Sequence, residues 1–208
     1  MKSLPPLLFL AGTQDFPDSM TFERTLRDLL SAGLQWFQLR DKVLDDRSLY
    51  FLAEKIRGWT RETDCLFTLN DRPDIAHLVE ADGVHLGQTD LSALEPEFVR
   101  PHETFHLGIS THTPSEVARA LTVKPDYLGV GPLYLSATKE LDYAPRGPSA
   151  IIETRELTDL PIVAIGGITS DKISEIFLAG ASTVAISGII SRANNPVLAL
   201  KFLIESSS

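Results

Sequence analysis

Short apolar runs and amphipathic helical stripes alternate along the whole chain. Leu7 to Ala11 is an apolar run of strand length. Thr21 to Ala32 carries Phe22, Leu26, Leu29 and Leu30 on one helical face, and Gly33 stops it. Leu34 to Leu39 predicts a strand, and Asp46 to Thr60 a helix with a Leu49, Leu52, Ile56, Trp59 stripe. A strand from Cys65 to Leu69, a short helix from Pro73 to Glu80 and a strand around Val84 follow. Leu91 to Val99 carries a weaker helical pattern. Beyond it come strand Thr104–Ile109, helix Pro114–Val123 with Pro114 in its first turn, and strand Asp126–Val130. Helix Ser149–Leu157, strand Pro161–Ile165, helix Ser170–Ala179, strand Thr183–Ile186 and helix Pro196–Ile204 complete the chain.

Eight strand signals, each followed by a helical one, argue for parallel pairing and a closed (β/α)8 TIM barrel of the α/β class. The alternative is an open doubly wound sheet, but no Gly-x-Gly-x-x-Gly follows the first strand. A length of 208 residues suits one domain over the whole chain, with no linker or low-complexity segment. The formal net charge of -9 argues against nucleic acid or an anionic membrane as partner, and an anionic substrate must be met by local cations. Cys65, the single cysteine, has no disulfide partner and reads as a small core residue, which fits a cytoplasmic location. The N-terminal apolar run is too short for a signal core, and no run would span a bilayer.

In such a barrel the chemistry belongs at the carboxyl ends of the strands. The second strand ends in Gln38-Leu39-Arg40-Asp41-Lys42, and alternation puts Gln38, Arg40 and Lys42 on one side. Arg and Lys so placed suit a phosphate, or they simply form a solvated strand end. Asn70 and Asp71 follow the third strand, and Gln88 and Asp90 follow the fourth. Two carboxylates on successive strand tips can share Mg²⁺ with substrate phosphates. Alternatively, each caps the helix behind it.

Further along, Ser110 follows the fifth strand and offers a hydroxyl to a phosphate oxygen, or an ordinary turn. The sixth strand leads into Gly131-Pro132 and then Ser136-Ala137-Thr138-Lys139, two hydroxyls and an ammonium suited to an anion clamp. The irregular stretch from Leu135 to Pro148 has the length of a functional loop. Gly166-Gly167 and Ser187-Gly188 end the seventh and eighth strands, where barrels often build a phosphate site from backbone amides. Glycine there lets the backbone approach an anion. His77, His85 and His106 read as structural, and only His112, near Ser110, stands close to the candidate chemistry. No Cys/His spacing for zinc is present.

Taken in order, Gln38-Leu39-Arg40-Asp41-Lys42, Asn70-Asp71-Arg72, Asp82-Gly83-Val84-His85-Leu86-Gly87-Gln88-Thr89-Asp90, Gly108-Ile109-Ser110, Gly131-Pro132 with Thr138-Lys139, and Ile165-Gly166-Gly167-Ile168 resemble the pattern of the thiamine-phosphate synthase family over nearly the whole chain. The resemblance implies the (β/α)8 fold and the joining of a pyrimidine diphosphate to a thiazole phosphate, with release of pyrophosphate. By the same resemblance Gln38, Arg40, Lys42, Asn70, Ser110 and Lys139 hold the diphosphate, and Leu39 and Asp41 lie in the binding segment. Asp71 and Asp90 bind Mg²⁺, while Ser136, Ala137, Thr138, Gly167, Ser187 and Gly188 hold the thiazole phosphate. Arg40, Lys42, Lys139 and Ser110 are the residues that stabilise the developing charge. A homodimer is implied as well. Leu135-Ser136-Ala137-Thr138-Lys139 stands where the family reads Pro-Thr-x-Thr-Lys, and the opening Leu10 to Asp15 differs from the family's Val-Thr-Asp start. The related thiazole tautomerases need a base where this chain has Pro132, and a mere precursor sensor could dispense with Asp71 and Asp90.

Overall fold

The computed structural model describes residues 4–92, 99–100, 102–135 and 144–206. Eight parallel strands close into a barrel in sequence order: β1 (Leu7–Ala11), β2 (Trp36–Leu39), β3 (Leu66–Asn70), β4 (Gly83–Leu86), β5 (His106–Thr111), β6 (Tyr127–Val130), β7 (Ile162–Ala164) and β8 (Thr183–Ile186). β1 pairs with both β2 and β8, which closes the ring. The helices are α1 (Ser19–Ser31), α2 (Asp46–Glu62), α3 (Pro73–Leu78), α4 (Pro114–Leu121), α5 (Ser149–Arg155), α6 (Ile173–Leu178), α7 (Gly188–Ser191) and α8 (Pro196–Ser206). The expected barrel is therefore the observed one.

Helix starts follow their capping residues. Asp18 accepts from the Thr21 amide at 2.7 Å, Asp45 from Ser48 at 2.7 Å, and Thr113 from Glu116 at 3.3 Å. Gly33, at φ 98°, ends α1 and lets Leu34 donate back to Leu29 at 3.0 Å. That bond keeps Leu34 out of the strand, so β2 begins later than the apolar run suggests.

Strand alternation sorts the apolar residues into two cores. Phe9, Phe37, Phe67, Val84, Ile109 and Leu128 face outward into the layer between barrel and helices, where Phe22 of the α1 stripe meets Phe37 at 6.3 Å between ring centroids. Alternate positions face into the barrel, where Leu8, Trp36, Tyr127, Val163 and Ala185 form a separate cluster. The register lines up further interior positions: Gln38 opposite Thr68, Asn70 opposite His85, and Ser110 opposite Gly129. The interior thus carries its polar groups chiefly toward the carboxyl ends of β2 to β5, at Gln38, Asn70, His85 and Ser110.

Two matched ion pairs brace the face opposite the mouth. Asp82, just before β4, takes a bidentate pair from Arg57 at 2.8 and 2.9 Å and the Phe67 amide at 2.8 Å. Asp126, just before β6, accepts from Arg100 at 2.7 Å and the Leu107 amide at 2.7 Å. Each aspartate stitches its strand to the one before it. The Asp82-to-Asp90 signature therefore runs from a structural clamp at one end of β4 to the mouth at the other.

Candidate active site

The carboxyl ends of the strands form a polar mouth whose shape begins at β1. A single 3-10 turn, Thr13–Asp15, follows β1 and grips the tip of β2. Asp41 accepts from the Thr13 amide (2.7 Å) and hydroxyl (2.5 Å), and from the amides of Val43 and Leu44 (3.0 Å each). Burial pushes the Asp41 carboxyl upward, but the Thr13 hydroxyl and these amides outweigh it and hold it below the usual carboxylate range. Asp41 thus organises the loop rather than offering a free carboxylate. Gln14 brackets the same tip: its Nε2 donates to the Arg40 carbonyl at 2.8 Å, and the Lys42 amide donates to its Oε1 at 3.4 Å. Leu39, 1% exposed, packs its side chain into the outer core and turns away from the mouth.

The charged groups that remain are Arg40 and Lys42. Arg40 is half-buried, and among the described residues its guanidinium makes no ion pair. Lys42 closes on the carboxylate of Asp71 at the tip of β3. Asp71 sits in left-handed backbone, φ 62°, with its amide donating to the His85 carbonyl at 2.9 Å. An aspartate in that region carries a conformational cost and is held there by its surroundings. Its carboxylate goes to Lys42, and α3 begins at Pro73 without a side-chain cap, so the helix-cap alternative for Asp71 fails. Asp90 opens a 3-10 turn, Asp90–Ser92, and accepts from the Gly87 amide at 2.8 Å. It closes the loop after β4; residues 93–98 of the helix expected at Leu91–Val99 lie outside the described residues.

One strand further round, Gln88 donates to the Ser110 carbonyl at 2.6 Å and is itself held by Arg119 of α4 at 2.5 and 2.9 Å. Ser110 Oγ meets His85 Nε2 at 2.8 Å, and His85 Nδ1 meets the Tyr127 hydroxyl at 3.2 Å. Burial pushes the His85 imidazole down to about 4, against the opposing pull of Asp71, and raises the Tyr127 phenol. His85 is thus a buried imidazole bonded through both ring nitrogens, one of them to the candidate residue Ser110, an environment that agrees with its reading as structural. Alternation along β4 puts its side chain on the inward face, two residues beyond Gly83. His112, the histidine that sequence reasoning placed nearest the chemistry, instead binds Glu116 through its amide (2.6 Å) and its Nδ1 (2.9 Å).

On the far side, the loop after β6 leans on the end of β7. Leu133 and Tyr134 donate to the carbonyls of Ile165 and Gly166 at 3.0 and 2.9 Å. A Cβ at Gly167, φ 64°, would fall 2.4 Å from the Leu135 carbonyl oxygen and 2.5 Å from that of Tyr134. Gly167 is thus required by the packing of this loop, which the sequence alone does not reveal. The loop's other end is pinned beside its start, with Gly147 donating to the Leu133 carbonyl at 2.8 Å. Ser136, Ala137, Thr138 and Lys139 lie outside the described residues. Ser187 and Gly188 open the four-residue α7 at the end of β8.

The family model for thiamine monophosphate synthase matches residues 7–190. The chain belongs to the thiamine monophosphate synthase family. It is 40% identical over 178 residues to the thiamine-phosphate synthase of Methanospirillum hungatei, covering 85% of each chain. It is 35% identical over 197 residues to that of Haloquadratum walsbyi, covering 94% of this chain and 88% of the relative. Among solved structures, the thiamine phosphate pyrophosphorylase of Pyrococcus furiosus superposes with a TM-score of 0.81 at 27% identity, covering 97% of this chain and 95% of that one.

Membership in the thiamine monophosphate synthase family makes the chain an enzyme of thiamine-phosphate synthesis. The donor set at the mouth fits a small hard cation. Asp71 and Asp90 supply carboxylate oxygens from neighbouring strand tips, and Mg²⁺ is commonly held by one or two carboxylates plus substrate phosphates. Among the described residues no group of three or more His, Cys, Asp or Glu gathers for a metal, so an ion here would depend on ligand oxygens and water.

Proposed function

We propose that this mouth condenses 4-amino-2-methyl-5-(diphosphooxymethyl)pyrimidine with 4-methyl-5-(2-phosphooxyethyl)thiazole, or with its carboxylated form and loss of CO2, to thiamine phosphate and pyrophosphate. The observation that carries the reading is the arrangement across β2 to β4: Arg40 half-buried without an ion pair among the described residues, and Lys42 poised on Asp71. An anionic diphosphate completes that arrangement. Arg40 takes phosphate oxygens through its planar fork, and Lys42 exchanges Asp71 for the ligand as a point charge. Gln38 and Asn70 point inward from the same strands and offer amide groups to the pyrimidine end. Mg²⁺ at Asp71 and Asp90 supplies charge neutralisation for the diphosphate.

In the reaction the C–O bond at the pyrimidine methylene breaks, and pyrophosphate leaves with the bonding pair. The aminopyrimidine carries the positive charge dissociatively, and the thiazole nitrogen supplies the pair for the new C–N bond. Arg40, Lys42 and Lys139 stabilise the charge that develops on pyrophosphate. The residues at the ends of β7 and β8, with Ser136 to Thr138, hold the thiazole phosphate. No enzyme nucleophile is required, and the buried Cys65 offers none. Pro132 has no titratable group, which speaks against a thiazole tautomerase. A homodimer belongs to the same reading and rests on the family resemblance alone.

The test is incubation of the purified protein with both precursors and Mg²⁺. Thiamine phosphate and pyrophosphate should appear in equal amounts. Turnover of the thiazole alone, or no product, would overturn the reading.

A further inference from the structure

Below Ser110 the barrel interior holds two rings that the reaction itself does not call for. His85 and Tyr127 stack with centroids 5.6 Å apart at 27°, and Trp36 packs edge-on against Tyr127 at 5.2 Å. Neighbouring strands give up side chains to seat them. A Cβ at Gly108 would fall 2.0 Å from Tyr127 Cζ, and one at Gly129 would fall 2.8 Å from His85 Cε1. Packing of rings alone would not require that both ring nitrogens meet hydroxyls, yet Nδ1 meets Tyr127 and Nε2 meets Ser110.

The direction of these two bonds follows from the phenol. Tyr127 is 0% exposed, and a buried hydroxyl places its proton on an acceptor. Among the described residues that acceptor is His85 Nδ1, at 3.2 Å. A neutral imidazole that accepts at Nδ1 carries its proton on Nε2. Nε2–H then donates to Ser110 Oγ at 2.8 Å. The Ser110 proton cannot return along the same line and is left to point into the mouth. In the opposite polarity Ser110 would donate inward, Nδ1–H would face the phenol oxygen, and the phenol proton would be stranded in the core.

We propose that Tyr127 and His85 are positioning residues that fix the polarity of this relay, so that Ser110 presents a hydrogen-bond donor to an anionic ligand at the mouth. The step from polarity to ligand rests on the diphosphate reading above.

Two measurements decide it. Long-range ¹H–¹⁵N correlation spectra of the ligand-free protein, with the His85 signals identified by their loss in His85→Gln, should show Nε2 protonated and Nδ1 bare at neutral pH. A protonated Nδ1, alone or in an imidazolium, would overturn the proposal on the unaltered chain. Calorimetric titration with magnesium pyrophosphate then runs a cycle over Tyr127→Phe and Ser110→Ala. Each single change should weaken binding roughly 3- to 10-fold, the worth of one hydrogen bond. The double variant should bind no worse than Ser110→Ala. Full additivity of the two losses, in variants whose thermal melts show them folded, would contradict the relay. A wild-type protein that makes no thiamine phosphate would count against the proposed function alone, because the spectra and the pyrophosphate cycle do not need turnover.

Discussion

The ammonium of Lys42 closes on the carboxylate of Asp71 across the tips of β2 and β3. Both side chains keep substantial exposure, 49% and 33%. An ion pair so placed contributes little to stability, about 0–1 kcal/mol. Its value lies in holding a cation and a carboxylate side by side at the mouth. Lys42→Ala should therefore leave the melting temperature nearly unchanged while raising KM for the pyrimidine diphosphate roughly tenfold, the worth of one charge-assisted hydrogen bond. A large loss of thermal stability with unchanged KM would assign the pair a structural role instead.

Gly167 tests the seam between β7 and the loop after β6. A side chain there meets carbonyl oxygens at 2.4 and 2.5 Å and must also adopt φ 64°. Gly167→Val should cost about 1–3 kcal/mol in denaturant unfolding, the usual penalty for a forced left-handed residue. It should also weaken thiazole-phosphate binding, because the loop that leans on β7 must shift. Binding of the pyrimidine diphosphate should change less. Equal loss of both ligands by a folded variant would show that the two ends of the mouth are not separable.

Asp41 gives the mouth a dependence on acid. Its folded-state pKa lies below that of the unfolded chain, so its contribution is present above the unfolded carboxylate pKa of about 3.9 and is lost as pH falls through the folded value. Asp41→Asn should lower stability at pH 7 and shrink the difference from wild type as acid is added. Urea melts across the range from pH 7 to about pH 3 provide the comparison. A constant gap between the two proteins would remove the carboxylate's charge from the explanation.

Cys65 should be inert in the native protein. Burial, reinforced by the charge of Asp82, pushes its thiol up to about 12. At pH 8 a disulfide reagent should react roughly 100-fold or more slowly than with a free thiol, and at the free-thiol rate after denaturation. Rapid native modification would contradict the packing of β3.

The strand order and most elements were legible because strand and helix periods differ and because turn residues mark the boundaries. β1 and β8 fall where the apolar runs lie, at Leu7–Ala11 and Thr183–Ile186. β5 runs two residues past its apolar run, because Ser110 and Thr111, which look like a turn in the sequence, continue the ladder opposite Gly129 and Val130. The brief turn at Thr13–Asp15 was illegible, since its hold on β2 depends on contacts between residues 28 positions apart. Within the site, the charged tips could be read from their places after strands. The roles of Asp41 and Gly167 could not, because each depends on what a distant segment brings beside it. The signature beginning at Asp82 also hid a division of labour, for Asp82 braces the opposite face of the barrel.

The sharpest question is whether Asp71 and Asp90 act as one cation site. Product formation should be titrated with Mg²⁺ in wild type, in Asp71→Asn, in Asp90→Asn and in the double variant, with thermal melts confirming that each is folded. The expected result is that either single change raises the Mg²⁺ concentration for half-maximal activity at least about tenfold, and that the double change adds much less than the product of the two, as groups sharing one ion must. Titration curves that coincide with wild type in both single variants would contradict it.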